Sequence, residues 1–340
     1  MVSKQRTVLA ATLVGQSVSR VDAYEKVTGY ARFTIDQHEP GMLYAKVLRS
    51  PYPHARVVSI DTGEAEKMYG VEAVIHCFNT TDKFFNWTNE PVQSPPYFNI
   101  VRDQQFFRRE LRYVGEEVCA VAAISEEIAE AALQVIHVTY EQLPAVLNAE
   151  DAAAADAPIL HPLVNAETNV AFSSANRVGN VEEAMAQCAA VVDEHFRVSV
   201  QKQMQLEMQN ALAYFSGDGK VTVWSPTQSP ALAQRLVSWI CDIPMSKVRI
   251  VNPGYVGGAF GVRIGLSGKA EIYAVELARR TGKPVKLVYD RHEDMIASEA
   301  RHSGKLHIQL GCDAQGHLLA LRGRGFMEAG AYALSSASLC

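Results

Sequence analysis

The sequence lacks several patterns that identify common classes of protein. Its 340 residues contain six cysteines, none of which forms a CxxC pair, and the ten histidines show no HExxH spacing. Because zinc sites and iron–sulfur clusters need closely spaced ligands, the sequence predicts neither within this chain. It also has no GxGxxG or P-loop pattern, which disfavours a nucleotide-binding oxidoreductase.

Two further shortages concern charge and long hydrophobic runs. The net charge is −5, so there is no basic excess of the kind that nucleic-acid or membrane-surface binding requires. No apolar run approaches the ~18 residues of a transmembrane helix. The scattered cysteines are typical of free buried thiols in a reducing compartment, which predicts a cytoplasmic protein.

The residues that are present describe an ordinary α/β protein. Hydrophobic residues make up 48% of the chain and charged residues 20%, which is enough for a large core in two or three domains. Strand patterns occur at 31–35, 43–48, 55–61, 73–77, 117–124, 135–140, 191–200, 212–215, 221–224, 248–251, 285–289, 305–311 and 317–326. Capped helices are predicted at 126–134, from Ser229 to about 241, and from Ser267 to about 281.

These elements divide into two predicted domains. Residues 15–146 form a first α/β unit, in which the strand–helix–strand run over 117–140 predicts a βαβ crossover. Residues 147–164 are rich in Ala, Asp and Pro and predict a linker. Residues 165–340 then form a second α/β unit.

A glycine-rich segment at 252–265 (NPGYVGGAFGVRIG) carries the most chemical information. It follows a strand and precedes a helix, and its glycines allow positive φ and a close approach of a ligand to the backbone. Exposed N–H groups in such a bend can bind an anionic or polar group. A tight turn without a ligand is the alternative interpretation of the glycines alone.

The glycine segment resembles the cofactor loop of the xanthine dehydrogenase/aldehyde oxidase molybdenum subunits, and other segments resemble that family in the same order. These segments are 20–29 (RVDAYEKVTG), 48–55 (LRSPYPHA), 113–117 (YVGEE), 201–209 (QKQMQLEMQ), 224–228 (WSPTQ) and 290–295 (DRHEDM). The resemblance implies a hammerhead-like α/β domain followed by the first part of a molybdopterin-binding α/β domain.

The resemblance also implies roles for individual residues. Gln228 would donate a hydrogen bond to the molybdenum cofactor, and the glycine bend would contact it through its backbone. The implied cofactor-binding residues are Gln228, Gly257, Gly258, Ala259, Phe260 and Gly261. No residue of the chain is expected to ligate the metal directly.

The chemistry implied is hydroxylation of an N-heterocycle, an aldehyde or an aromatic thioester, with water as the oxygen source. The cofactor would be molybdenum–molybdopterin, with the cytosine dinucleotide form as one option. [2Fe–2S] clusters and FAD would lie on an iron–sulfur subunit and a FAD subunit. Nucleic acid and membranes are not expected partners.

The sequence departs from the family in two respects. The family's second half, which carries the catalytic glutamate, is expected to be absent, so a split subunit or an inactive remnant with an assembly role are both open. Glu207 and Glu271 are expected to be structural. At the position of a purine-binding glutamate stands Ile264, which makes xanthine a doubtful substrate. Arg263 is expected to lie at the surface, and contact with a carboxylated substrate is the alternative.

Overall fold

The computed structural model describes residues 15–86, 101–164, 167–334 and 336. They fall into two compact units that divide between Arg32 and Phe33. In the first unit, α1 (Ala23–Thr28) ends at Gly29, which adopts a left-handed conformation with φ of 77°. The limits predicted at 165 and 340 for the second domain lie outside the described residues.

Strands and helices are interspersed along the second unit. Its strands are β1 (Leu43–Arg49), β2 (Ala55–Asp61), β3 (Val71–His76), β4 (Glu110–Leu111), β5 (Glu117–Ala123), β6 (His137–Gln142), β7 (Ala190–Val198), β8 (Asn210–Phe215), β9 (Val221–Trp224), β10 (Val248–Val251), β11 (Val285–Val288), β12 (Gly304–Cys312) and β13 (Leu318–Met327). Its helices are α2 (Glu126–Gln134), α3 (Ala149–Ala152), α4 (Val181–Ala186), α5 (Pro230–Ile240), α6 (Ala270–Thr281) and α7 (Arg291–Ala297). The mixed α/β class predicted from the sequence is confirmed.

A seven-stranded sheet with the order β10-β9-β8-β11-β1-β5-β3 organises this unit. The pairs β1–β11 and β9–β10 are parallel, and the remaining neighbours are antiparallel. Strands from before and after residues 147–164 therefore share one sheet. The division into two domains stays a prediction. Two three-stranded sheets, β13-β12-β7 and β4-β2-β6, complete the described strands.

The core of the large sheet is built on α6, which packs against β8 and β11. Tyr273 of this helix is fully buried, and its ring stacks on Phe107 with centroids 4.7 Å apart. Its hydroxyl donates to the carbonyl of Phe106 at 2.9 Å, which satisfies the one polar atom that this burial would otherwise leave unpaired. The C-terminus of α6 lies at Gly282, as predicted.

Most predicted elements are present, and three predictions about secondary structure were wrong. Residues 31–35 give a short 3-10 turn, Thr34–Asp36, instead of a strand. The predicted βαβ crossover does not form, because β5 and β6 belong to different sheets. Lys269 rather than Ser267 precedes the first residue of α6, since Ser267 lies in a turn and its hydroxyl bonds Gln209.

Among the described residues, no helix combines the length and hydrophobicity that a membrane span requires.

Replacing Leu287 by alanine should destabilise the whole second unit. Leu287 is 1% exposed in β11, the strand that joins β8 to β1. Removing three buried carbons from a packed core costs about 2–5 kcal/mol of unfolding free energy. Urea unfolding followed by circular dichroism should show one transition at lower denaturant. Leu318→Ala, at an exposed position of β13, is the control, and an equal loss in both variants would contradict this core assignment.

Candidate cofactor-binding site

The glycine bend lies between β10 and α6, and its backbone has an unusual conformation. Gly258 and Gly261 have φ of 98° and 95°, and Phe260 between them has φ of 50°. A positive φ is strained for a phenylalanine, so neighbouring contacts have to hold it. The Phe260 side chain is 60% exposed, which shows that burial of the ring does not supply this stabilisation.

Gln228 contacts the bend directly. Its Oε1 accepts a hydrogen bond from the N–H of Gly261 at 3.0 Å. Its own N–H donates to the carbonyl of Arg263 at 2.8 Å. The preceding Thr227 is buried and donates to the carbonyl of Gly265 at 2.9 Å, which fixes the end of the strand segment against the bend.

The hydrogen bond from Gly261 determines which way the Gln228 amide faces. Because a backbone N–H is a donor, the side-chain oxygen must point to it and the NH₂ group must point away. Within the described part of the chain, this NH₂ group donates to no other group. Gln228 is exposed, so the two N–H bonds are available to a ligand.

Three successive amides of the bend are also available. The N–H groups of Gly258, Ala259 and Phe260 donate to no residue that the structure describes, whereas the N–H of Gly257 donates to Glu207 at 2.8 Å. A run of free amides in a positive-φ bend creates a concave region of positive potential. The bend therefore fits a polar or anionic group that approaches the backbone.

Arg263 bonds the backbone of the bend. This contact is the main feature that the sequence did not predict. Arg263 was expected at the surface, but its side chain is fully buried. Its guanidinium bonds the Oε1 of Gln209 at 3.1 Å and the carbonyls of Gly258 at 3.0 Å and Met208 at 2.8 Å, and it also donates to the carbonyl of Glu207. An arginine followed by an isoleucine after a glycine run gives no periodic signal of burial, so the pattern could not reveal this role.

Glu207 supplies the charge that balances Arg263. Its Oε2 lies 3.3 Å from Nη1 of the guanidinium and accepts from Gly257, while its Oε1 accepts from Asn210 at 3.3 Å. Adding a Cβ at Gly257 would place it 2.4 Å from the Cβ of Glu207, so glycine is required there by the packing of this pair. The contacts agree with the structural role expected for Glu207.

Glu271 is also bonded to the protein itself. Its two oxygens accept from the N–H of Ser267 at 2.9 and 2.8 Å, and the hydroxyl of Ser225 donates to it at 2.5 Å. Burial raises the pKa of the Glu271 carboxyl to about 7, although the hydrogen bonds from Ser225 and Ser267 oppose the increase. These contacts agree with the structural role expected for this residue.

A cavity of about 510 Å³ opens beside the bend. Gly261, Ile264, Lys269 and Arg301 contribute to its wall. A Cβ at Gly261 would lie no closer than 3.9 Å to any neighbouring atom, that neighbour being Nη1 of Arg301, so the backbone there faces open space. Ile264 is 39% exposed and presents its side chain to the cavity.

Charged groups around this cavity are mostly paired. Lys269 lies 2.7 Å from Glu117, which is also 3.7 Å from Arg49, and all three side chains are largely buried. Arg301 donates to the carbonyl of Phe260 at 3.0 Å. Together with the hydrogen bond from Gly261 to Gln228, this contact holds Phe260 at positive φ. Burial, and then the neighbouring Arg301, lower the pKa of His302, which keeps its ring neutral at pH 7.

Comparison with known proteins identifies the family of the chain. The family model for the molybdopterin cofactor-binding domain matches residues 160–340, just over half of the chain. The chain belongs to the xanthine dehydrogenase/aldehyde oxidase family of molybdopterin-binding subunits. The model for the aldehyde oxidase and xanthine dehydrogenase a/b hammerhead domain matches residues 28–144 of this family member. The resemblance inferred from the sequence motifs is confirmed.

Two relatives show how much of a longer subunit this molybdopterin-binding chain covers. A probable xanthine dehydrogenase subunit of Bacillus subtilis is 37% identical over 320 residues, which cover 92% of this chain and 40% of the relative. The nicotinate dehydrogenase large molybdopterin subunit of Eubacterium barkeri is 33% identical over 324 residues, which cover 94% of this chain and 72% of the relative. The chain thus spans between about two fifths and three quarters of the length of these two relatives.

Solved structures agree with this assignment. Quinoline 2-oxidoreductase from Pseudomonas putida 86 superposes with a TM-score of 0.81 at 30% identity, over 94% of this chain and 40% of that chain. Aldehyde oxidoreductase from Desulfovibrio gigas gives a TM-score of 0.81 at 26% identity, over 91% of this chain and 34% of that chain. The fold expected from the resemblance is confirmed.

Replacing Arg263 by methionine should unfold the bend and destabilise the chain. The substitution leaves Glu207 as a buried charge without its partner and removes the donors to several buried carbonyls. Breaking such a buried pair costs about 3–5 kcal/mol. Urea unfolding measures the loss, and Arg235→Met at an exposed position of α5 is the control. If Arg263→Met were as stable as the control, Arg263 would not hold the bend.

The raised pKa of Glu271 predicts that the unfolding free energy depends on pH. Its folded pKa of about 7 lies above the ordinary value of 4.5, so between these values the folded state binds more protons than the unfolded state. The contribution of Glu271 to the unfolding free energy therefore decreases as the pH rises from about 5 to about 7. Glu271→Gln should remove this contribution, and unfolding measured across that range should change less with pH. The exposed Glu183→Gln should keep the wild-type slope, and an identical slope in all three proteins would contradict the shift.

Proposed function

We propose that this chain is the molybdenum-cofactor-binding part of a molybdenum hydroxylase. The observation that carries the proposal is the hydrogen bond between Gln228 and Gly261, with the free amides of Gly258, Ala259 and Phe260 beside it. It brings together residues from two separate motifs, and it leaves unpaired donors on the side where a cofactor would lie. Family membership supports molybdopterin as the group that these donors bind.

Each residue of the bend has a definite task in this proposal. Gln228 offers its NH₂ group to the cofactor because its oxygen is held by Gly261. Gly257 and Gly258 allow the backbone to bend around Glu207 and Gln205, and Ala259 and Phe260 present their N–H groups. When bound, the cofactor supplies a Lewis-acidic metal and a two-electron redox centre. The chain itself contributes binding and orientation.

The catalytic base is proposed to come from residues outside the part of the relatives that this chain matches. Glu207, which contacts the bend, and Glu271, which contacts Ser267 after it, are both occupied by buried hydrogen bonds. A general base has to reach the proton that it removes, and neither carboxylate is accessible from the cavity without breaking those bonds. A split subunit arrangement, in which another polypeptide provides the base, is consistent with this division.

The proposed substrates are N-heterocycles, aldehydes or aromatic thioesters rather than xanthine. Ile264 faces the cavity beside Gly261, and an apolar side chain cannot accept a hydrogen bond from a purine. The cavity of about 510 Å³ is large enough for a substrate with one or two rings. The names of the relatives refer to different substrates, so the proposed substrate classes rest on the residues of the cavity wall.

Electrons released in the reaction need acceptors that this chain does not offer. The described cysteines are all free and no three of them lie together, so an iron–sulfur centre has no ligand set in the described residues. We infer partner subunits that carry [2Fe–2S] clusters and FAD, and the cytosine dinucleotide form of molybdopterin is one form of cofactor to test. The subunit names of the relatives support such a complex.

Co-expression with the proteins of neighbouring genes, in a host that makes the molybdenum cofactor, tests this function. The purified complex should contain molybdenum and pterin and oxidise a heterocycle, aldehyde or thioester. Gln228→Ala should lower kcat on the order of 10²-fold without a change in Tm, because one positioned donor is lost. The exposed Gln315→Ala is the control.

Two results would contradict the proposal in different ways. Turnover by Gln228→Ala at the wild-type rate would reject the role given to this glutamine. A stoichiometric complex without molybdenum or pterin would favour the alternative, an inactive chain that serves assembly.

A further inference from the structure

A second group of possible ligands lies on the three-stranded sheet formed by β7, β12 and β13. Asp193 and His195 lie on β7, and His307 and Gln309 face them on β12. The register pairs His195 with His307 and Asp193 with Gln309. Because alternate residues of a strand point to the same face, these four side chains form one compact cluster.

The atoms of this cluster are already close together. The two imidazole rings are nearly parallel, with centroids 4.1 Å apart and an interplanar angle of 8°. The Nε2 of His307 lies 2.6 Å from Oδ1 of Asp193. One ligand atom from each of Asp193, His195 and His307 can be chosen so that all three lie within 4.8 Å of one another.

We propose that Asp193, His195 and His307 form a binding site for a divalent transition-metal ion such as Zn²⁺. Nitrogen and oxygen ligands bind zinc at about 2.0–2.2 Å, so two ligands of one ion are at most about 4.4 Å apart. To satisfy this limit the ligand atoms have to move by about half an ångström, and the two stacked imidazole rings have to turn so that a lone pair of each points to the ion. Two imidazoles and one carboxylate suit zinc and its neighbours better than magnesium or calcium, which prefer oxygen ligands.

Gln309 orients the carboxylate without being a ligand itself. Its Nε2 donates to Oδ2 of Asp193 at 2.7 Å, which leaves Oδ1 facing His307. The Oε1 of Gln309 in turn accepts from Arg322 at 3.1 Å. Hydrogen bonds of this kind fix ligand geometry and raise metal affinity. The cluster therefore has both ligands and a supporting contact.

Because the surrounding face is positively charged, metal binding should depend most on the carboxylate of Asp193. Arg197 lies on the same face of β7, and Arg324 pairs with His307 from β13. These cations oppose a dication, and within this cluster Asp193 alone carries a compensating negative charge. Asp193 and His195 are exposed and His307 is partly exposed, so the ion could reach the site and would keep a position for water or a further ligand.

The site shares no residue with the proposed cofactor site, so it can be tested on the 340-residue chain without molybdenum. Zinc binding is measured by competition with a chromophoric chelator. The wild-type chain should bind about one Zn²⁺ at this site, and His195→Ala, His307→Ala and Asp193→Asn should each weaken it by at least about tenfold. Gln309→Ala should weaken binding by about tenfold. Mg²⁺ should not compete.

His317→Ala provides the matched control. His317 lies 2.9 Å from Asp313 in an exposed turn, a histidine–carboxylate pair with no second histidine. This variant should bind zinc like the wild-type chain. Circular dichroism confirms that each variant is folded, and Co²⁺ absorption in the wild-type chain that disappears in His195→Ala gives a second readout. Equal zinc affinity in the wild-type chain and His307→Ala, or an equal loss in His317→Ala, would overturn the proposal.

Discussion

The buried guanidinium of Arg263 is the constraint on which the candidate site depends. It donates to the carbonyl of Gly258 in the glycine bend and to the carbonyl of Met208 in the segment before β8. A fully buried charge is tolerated only with a close partner and satisfied donors, and Glu207 supplies that partner at 3.3 Å. Within the bend this pair holds the N–H of Gly257 and the carbonyl of Gly258.

The bend keeps several N–H groups free of partners among the described residues. The carbonyl of Gly258 accepts from the guanidinium of Arg263, whereas the N–H groups of Gly258, Ala259 and Phe260 donate to no described residue and the N–H of Gly261 donates to Gln228. The backbone strain at Phe260 is held by neighbouring contacts rather than by burial of the ring, as at many ligand sites. Cavity, free amides and a directed glutamine side chain therefore occur together.

The sequence predicted regular elements well because they have local signals. The helix at Glu126–Gln134 has a serine cap that accepts from Ile128, and the β8–β9 hairpin has an evident turn. The pairing of β1 with β11 could not be predicted, since it joins Leu43 to Val285 across most of the chain. The family resemblance implied that Gln228 and Gly261 belong to one site, whereas the burial of Arg263 depends on tertiary contacts that no local pattern indicates.

A crystal structure of the complex loaded with its molybdenum cofactor would test the central claim most directly. The account predicts the cofactor against the bend, with Nε2 of Gln228 and the N–H groups of Gly258–Phe260 within hydrogen-bonding distance of it, and with Arg263 still buried beneath. A cofactor bound elsewhere, with these amides facing only water, would contradict it.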